Sequence, residues 1–130
     1  MPVPVDPAYL GAWLARGCYV GWSADPRPLP SSMGPGGRRV FLNTALTESL
    51  ANGATEHPIG AAAVREMTAD DLTTPRGWSA SVKFAQGAHG WLWFEVFGPT
   101  PTGRPTVASR DAPGCTGCHD QGRDRVRSVR

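Results

Sequence analysis

Lysine is nearly absent from this sequence, and so are cysteine, long apolar runs and a strong net charge. Of 13 basic residues only Lys83 is a lysine, and the net charge is +2. A chain with so little excess charge lacks the electrostatic field that draws a protein onto nucleic acid, so we expect no nucleic-acid partner. No apolar run approaches the ~18 residues of a membrane span, and we expect no such span.

The low cysteine count and the high glycine and proline content limit the architecture further. Three cysteines are too few for a disulfide scaffold, and Cys18, which stands alone, is interpreted as a small buried apolar residue. The 16 glycines and 13 prolines are spread along the chain and would interrupt long helices. With 130 residues, 40% of them hydrophobic, the chain suits one domain that spans residues 1–130.

The hydrophobic pattern predicts short helices and antiparallel strands. Asp6 and Pro7 open a short amphipathic helix that ends at Gly17, and a second helix follows a cap at Asn43 or Thr44. The predicted strands are RRVFLN (38–43), GAAAVREM (60–67, with a helix as the alternative), WSASVKFA (78–85) and GWLWFEVFG (90–98). The last two form a hairpin, and the final strand is apolar on both faces, which predicts a central position with both faces covered. The fold class is mainly antiparallel β-sheet with a few short α-helices (α+β).

The strongest chemical signal is the sequence GCTGCH at residues 114–119. Cys115 and Cys118 are three residues apart, so on a helical turn their thiols lie on one side and can reach the two vinyl groups of one porphyrin. His119 follows at once and can lie beneath the iron. The motif therefore predicts covalently attached haem c, with His119 as the iron ligand.

Two other chemistries use the same residue types and remain alternatives. A structural zinc site needs four ligands, and only Cys18, His57 and His89 remain to complete one. A thioredoxin-like disulfide needs the cysteine pair at a helix start inside a βαβ unit, but the pair lies too late in this sequence for the rest of that fold.

The late position of the motif also distinguishes between the known classes of haem c protein. The common electron-transfer cytochromes c carry the motif near the N-terminus and use a methionine downstream, whereas no residue after His119 can supply a sixth ligand here. Four-helix cytochromes c′ carry the motif late, but the glycine and proline content and the aromatic strands do not suit four long helices. A β-rich cytochrome c with late attachment remains. The upstream candidates for a sixth ligand are Met33, Met67, His57, His89 and Lys83.

Read in order, the segments RRVFLN, HPIGAAAVREM, WSASVKFAQGAHGWLWFEVFG and GCTGCHDQGRDRVRS resemble the cytochrome P-460 and cytochrome c′-beta family. The resemblance begins near Arg38 and is carried by Pro58, Gly60, Arg65 and Glu66, by the aromatic strand and by the late motif. It implies a periplasmic homodimer with a mainly antiparallel β fold and one five-coordinate haem c. Some members oxidise hydroxylamine, and the c′-beta branch binds nitric oxide and carbon monoxide.

By this resemblance Cys115 and Cys118 look like the thioether attachments and His119 like the proximal ligand. Arg38 stands where the hydroxylamine-oxidising members have an arginine beside the haem. Arg65 stands where those members have a lysine that bonds to the porphyrin edge, and a guanidinium, which stays protonated, does not form that bond. The departure speaks against their type of catalysis and makes Arg65 and Arg38 the candidate distal-pocket residues.

Other polar residues have simpler interpretations. Lys83 matches a structural lysine of the family. Glu66 and Glu95 are interpreted as solvent-facing carboxylates or as partners of arginines. Arg65 would then pair with one of these glutamates or with a haem propionate. His89 is interpreted as an exposed loop residue, and His57, just before Pro58, as a loop residue.

The sequence thus predicts a mono-haem c-type cytochrome with an open distal site that binds a small diatomic ligand such as nitric oxide or carbon monoxide. One alternative is an electron-transfer cytochrome with a sixth ligand from upstream and a redox partner protein. The other is an oxidoreductase that acts on hydroxylamine or a related small nitrogen compound. Haem c is attached outside the cytoplasm, and the N-terminus shows no secretory signal. We therefore expect a periplasmic protein whose signal peptide has been removed.

Overall fold

A computed structural model of the chain describes residues 2–31 and 34–110, which form one antiparallel sheet and two short helices. The helices are α1 (Pro7–Ala15) and α2 (Thr44–Ala51). The strands are β1 (Ser23–Ala24), β2 (Leu29–Pro30), β3 (Gly37–Leu42), β4 (Ala62–Thr68), β5 (Pro75–Lys83), β6 (Trp91–Phe97) and β7 (Val107–Arg110). The α+β class that the sequence predicts, with a mainly antiparallel sheet, is confirmed.

The sheet is a meander in which β3 to β7 follow one another in chain order. β1 and β2 both pair with β3. Successive side chains of a strand lie on opposite faces, so the register defines two surfaces. The core face carries Val64, Ala80 and Phe94 side by side across three strands, and the arginine face carries Arg65 opposite Ser79.

Helix α1 covers the core face, and its start is fixed by local chemistry. The side chain of Asp6 accepts a hydrogen bond from the backbone N–H of Ala8 at 2.9 Å and so caps the helix as predicted. Leu10, Trp13 and Leu14 are buried on one side of α1 and belong to the main hydrophobic cluster. Full burial of side chains of this kind stabilises the fold by about 1.5–3 kcal/mol each.

Helix α2 is tied to the start of β4 by Asn43, its N-cap. The side-chain oxygen of Asn43 accepts hydrogen bonds from the N–H groups of Leu46 at 3.1 Å and Ala62 at 3.0 Å. Its amide nitrogen donates to the carbonyl of Gly60 at 2.8 Å. The helix thereby packs over one end of the arginine face. The residues buried there form a second hydrophobic cluster, which consists of Val40, Leu42, Leu46 and Ala61.

The predicted β5–β6 hairpin is present, and the segment that begins with GAAAV forms strand β4 rather than a helix. Strand β6 is buried on both faces as expected, with Trp93 and Phe94 both less than 5% exposed. It also lies inside the sheet as predicted, because it pairs with β5 on one side and with β7 on the other. Three strands are missing from the sequence prediction. β1, β2 and β7 have only two to four residues, which is too short to show an alternating pattern.

Within residues 2–31 and 34–110, no helix has the length and the hydrophobicity that crossing a membrane requires. The larger helix, α1, has nine residues, and a helix that spans the hydrocarbon core needs about 20.

Candidate functional site

The residues predicted to hold haem c, Cys115, Cys118 and His119, lie outside the described residues, and so does the ligand candidate Met33. In the part of the chain that the structure describes, no three His, Cys, Asp or Glu side chains come together as a metal-binding group. The residues of the predicted site that the structure describes are the distal candidates and the remaining upstream ligand candidates.

The two candidate distal residues lie on the same face of the sheet, on neighbouring strands. Arg38 of β3 is opposite Met67, and Arg65 of β4 is opposite Val40. The two arginines are therefore diagonal neighbours, a spacing of about 7–8 Å between Cα atoms. On its other side Arg65 is opposite Ser79 of β5. The fold thus brings together two cations that are far apart in sequence.

Arg65 has a buried donor without an acceptor. Its Nε–H is inaccessible to solvent, and no residue in the described ranges accepts a hydrogen bond from it. Neither Glu66 nor Glu95 forms an ion pair with Arg65 within those ranges, so the interpretation of these glutamates as its partners is wrong. A buried donor left unpaired costs about 1–3 kcal/mol. The guanidinium is accordingly suited to bind a further group that offers an acceptor.

Arg38, by contrast, already has a partner. Its Nη1 lies 3.7 Å from Oδ2 of Asp25, which is buried and also accepts a hydrogen bond from the N–H of Val40 at 2.9 Å. The charge of Arg38 is thus partly balanced within the protein. Arg65 is the better placed of the two candidates to meet a ligand.

Glu66 lies on the core face, on the side of the sheet opposite to Arg65. Its Oε2 accepts a hydrogen bond from the hydroxyl of Tyr19 at 2.5 Å, and Nε1 of Trp78 donates to the oxygen of Tyr19 at 3.2 Å. Burial and the hydrogen bond to this carboxylate raise the pKa of Tyr19 well above its ordinary value. The partner of Glu66 is therefore a tyrosine, and the prediction of a solvent-facing or arginine-paired residue is wrong.

Lys83, a candidate for the sixth iron ligand, is engaged inside the protein. It is fully buried, and its Nζ donates a hydrogen bond to the carbonyl of Gly87 at 2.9 Å. The same nitrogen lies 3.7 Å from Oε1 of Glu56 and 5.2 Å from the centre of the Trp91 ring. These contacts are those of a structural lysine, as the sequence resemblance implies.

The two histidines of the described ranges differ in their surroundings. His89 is exposed in the β5–β6 loop, as predicted. His57 also lies in a loop, but it is only 1% exposed, and its Nδ1 is 2.7 Å from Oγ of Ser49. The predicted loop position of His57 is confirmed, and the residue is buried because α2, which carries Ser49, packs over it.

Met67 shares the arginine face with Arg65, two residues away on the same strand. Its side chain reaches over Gly77 of β5, where an added Cβ would be 3.1 Å from the Met67 methyl carbon. Met67 is thus the described thioether that lies beside the unpaired guanidinium.

Two side chains of interest were not singled out from the sequence. Tyr19 stands in a turn with no periodic pattern, and its partner Glu66 is 47 residues away, so no local signal reveals the contact. Ser79, in contrast, lies on the polar side of an alternating strand. The register of the β4–β5 pair places it opposite Arg65.

Neither a scan against protein-family models nor a search of curated proteins finds a match for this chain. The resemblance to the cytochrome P-460 and cytochrome c′-beta family therefore rests on the sequence segments and the CxxCH motif given above.

Proposed function

We propose that this protein is a periplasmic mono-haem c-type cytochrome of the P-460 and c′-beta type, with an open distal site for a small diatomic ligand such as nitric oxide or carbon monoxide. The observation that carries the proposal is the GCTGCH motif, in which Cys115, Cys118 and His119 provide two thiols and an imidazole at the spacing that haem c requires. The bound haem would supply an iron atom that takes up the gas. As in the family it resembles, the protein would be a homodimer.

The side chains of the arginine face fit such a group. Trp91 and Trp93 are stacked, with ring centres 5.9 Å apart and an angle of 29° between the rings, and both are buried, so they add aromatic bulk to the apolar interior on this face of the sheet. The buried Nε–H of Arg65 needs an acceptor, and both a propionate carboxylate and a polar iron-bound ligand would provide one. A hydrogen bond to a charged group is worth about 1.5–3 kcal/mol.

In this proposal the polypeptide acts on the ligand through a fixed positive charge. A guanidinium is a cation with several N–H donors, so Arg65 would donate a hydrogen bond to a polar ligand or a bound anion. Arg38 adds a second cation nearby, held in place by Asp25. The sole lysine, Lys83, is fully buried and donates a hydrogen bond to the carbonyl of Gly87, which supports a haem without a bond to lysine. The haem would therefore be an ordinary c-type haem without a cross-link, and a haem-bearing peptide bonded to Lys83 or Arg65 would contradict this.

Mass spectrometry under denaturing conditions tests the attachment. The full chain, matured in a periplasm that attaches haem c, should carry one haem that resists acid–acetone extraction, because thioether bonds are covalent. Cys118→Ala should retain its haem poorly, since at most one thioether can form. Cys18→Ala is the matched control and should load like the wild type. Extraction of free haem from the wild type, or zinc in its place, would contradict the proposal.

A ferrous absorption spectrum with and without carbon monoxide tests the open distal site. High-spin iron that binds carbon monoxide is expected. Low-spin iron that does not bind carbon monoxide would favour the electron-transfer alternative. Met67 is then the sixth ligand to test, because it lies beside Arg65. In that case Met67→Ala should convert the iron to a form that binds carbon monoxide.

The role of Arg65 is tested by the dissociation rates of the gases. Loss of a charged hydrogen bond in Arg65→Leu should raise the dissociation rate of nitric oxide by about tenfold or more. Arg76→Leu removes an exposed arginine of β5 and is the matched control. Equal rates in Arg65→Leu and the wild type would remove Arg65 from the distal role.

A further inference from the structure

The core face carries a second arrangement of polar and aromatic groups that the proposed haem function does not use. Tyr19 is 3% exposed, and both hydrogen-bonding roles of its hydroxyl are filled by side chains. It donates to Oε2 of Glu66 at 2.5 Å and accepts from Nε1 of Trp78 at 3.2 Å. The shorter distance is that of a charge-assisted bond between a hydroxyl and a carboxylate.

Such a phenol is prepared for one-electron oxidation. A phenol that loses an electron becomes a strong acid, so its oxidation is fast only where a base takes the proton at the same time. Glu66 is within hydrogen-bond reach of that proton, which is the geometry that a general base requires. The raised pKa of Tyr19 keeps the phenol protonated at rest, so that electron and proton leave together.

Aromatic rings join Tyr19 to the protein surface. Its ring centre lies 6.1 Å from that of Trp13 and 6.5 Å from that of Trp22, and the two tryptophans are 5.6 Å apart. Trp22 is partly exposed. Neighbouring π systems can pass an electron in steps, whereas a saturated side chain between them would interrupt the route. The three rings thus offer a path between the buried phenol and a redox agent at the surface.

We propose that Tyr19 is a redox-active tyrosine, with Glu66 as its proton acceptor and Trp13 and Trp22 as its electron route. On oxidation the O–H bond of Tyr19 breaks, the proton moves to Oε2 of Glu66, and one electron passes to an external one-electron oxidant, such as a ruthenium(III) polypyridyl complex. The products are a neutral tyrosyl radical and a neutral Glu66 carboxyl group. A one-electron reductant restores the phenol and the carboxylate. The proposal does not depend on the haem function, because the oxidant comes from outside.

Photo-oxidation of the full chain by ruthenium tris-bipyridine with a cobalt(III) electron acceptor, followed by freeze-quench electron paramagnetic resonance, tests the proposal. The chain has two tyrosines, and the other one, Tyr9, is 66% exposed. Tyr9→Phe should therefore still form a tyrosyl radical, whose spectrum narrows when the protein is made with β-deuterated tyrosine. Glu66→Gln keeps the shape of the side chain but removes the base, so the radical should form about 100-fold more slowly in the Tyr9→Phe background.

The matched control is Glu95→Gln, which removes a carboxylate on the opposite face of the sheet and should leave the rate unchanged. Circular dichroism checks that each variant is folded. Tyr19 is the sole tyrosine in the Tyr9→Phe background, so any tyrosyl signal there comes from Tyr19. Absence of a tyrosyl signal there, a tryptophan radical in its place, or equal rates for Glu66→Gln and Glu95→Gln would overturn the proposal.

Discussion

Removal of one carboxylate, that of Glu56, tests how the protein accommodates its single, fully buried lysine. The ammonium of Lys83 donates to the carbonyl of Gly87 at 2.9 Å and lies 3.7 Å from Oε1 of Glu56. The same oxygen of Glu56 accepts a hydrogen bond from the N–H of Gly87 at 2.5 Å. Glutamine in place of Glu56 keeps an oxygen for that N–H and removes only the negative charge. The variant therefore isolates the contribution of the charge.

The distance between the two charges gives the size of the effect. At 3.7 Å the attraction is about 1 kcal/mol in water and about 4 kcal/mol at an effective dielectric constant of ~20. The side chain of Glu56 is 44% exposed, so solvent screens the pair and the lower part of this range applies. We expect Glu56→Gln to lower the free energy of unfolding by about 1–2 kcal/mol at low ionic strength, and by less in high salt.

Urea unfolding of the full chain at low and high ionic strength measures this difference. Glu48→Gln is the matched control, because Glu48 is exposed on α2 and forms no ion pair with any described residue. It should change the free energy of unfolding by less than about 0.5 kcal/mol. Lys83→Met in both backgrounds closes a double-mutant cycle that gives the coupling energy directly. A cost for Glu56→Gln that equals the control, or that salt does not reduce, would refute the electrostatic explanation.

Stability at the extremes of pH depends on two other side chains, and one hairpin glycine is expected to tolerate no substitution. The folded protein holds the proton of Tyr19 above the ordinary phenol pKa of 10.0, so this contribution is complete below about pH 10 and is lost as the pH rises. Tyr19→Phe should abolish that alkaline loss in urea titrations, and an unchanged alkaline limb would contradict the assignment. Hydrogen bonds from Thr74 hold the pKa of Asp71 below its usual 3.8, so this contribution is present above about pH 3.8 and is lost as the pH falls. Asp71→Asn should therefore flatten the acid limb of the stability curve, whereas an acid limb as steep as that of the wild type would exclude Asp71. A Cβ at Gly90 would lie 1.9 Å from a backbone carbonyl oxygen, so Gly90→Ala should lower the free energy of unfolding by about 3 kcal/mol or more. Gly21→Ala, which meets no atom within 4 Å, should cost far less, and equal thermal unfolding of the two variants would refute the steric argument.

The features that the sequence predicts well are those that local chemistry determines. A cap such as Asp6 or Asn43 acts on residues two or three positions away, so the start of each helix can be read from a short segment. The β5–β6 hairpin follows from alternation over a few residues and from its glycine-containing loop. These predictions need no knowledge of the rest of the fold.

The features that were missed depend on contacts between distant segments. Strand β7 has four residues and exists because it pairs with β6, so its own composition gives no signal. His57 has the local sequence of an exposed loop residue and is buried only because Ser49 and Trp91 pack against it. The resemblance singled out Arg38 and Arg65, but their shared face appears only once the β3–β4 register is known.

The two proposals meet at strand β4, where Arg65 and Glu66 are consecutive residues on opposite faces of the sheet. Strand geometry assigns Arg65 to the surface proposed for the haem and Glu66 to the phenol of Tyr19. A shift of one residue in the register would exchange the two charges. It would bring a carboxylate to the surface that needs a donor, and would bury a guanidinium against a phenol that needs a base. The apolar neighbour Val64, which is 1% exposed in the main cluster, would leave the core in the same shift. The hydrophobic pattern that fixes the register of β4 therefore also fixes which side of the sheet each charge serves.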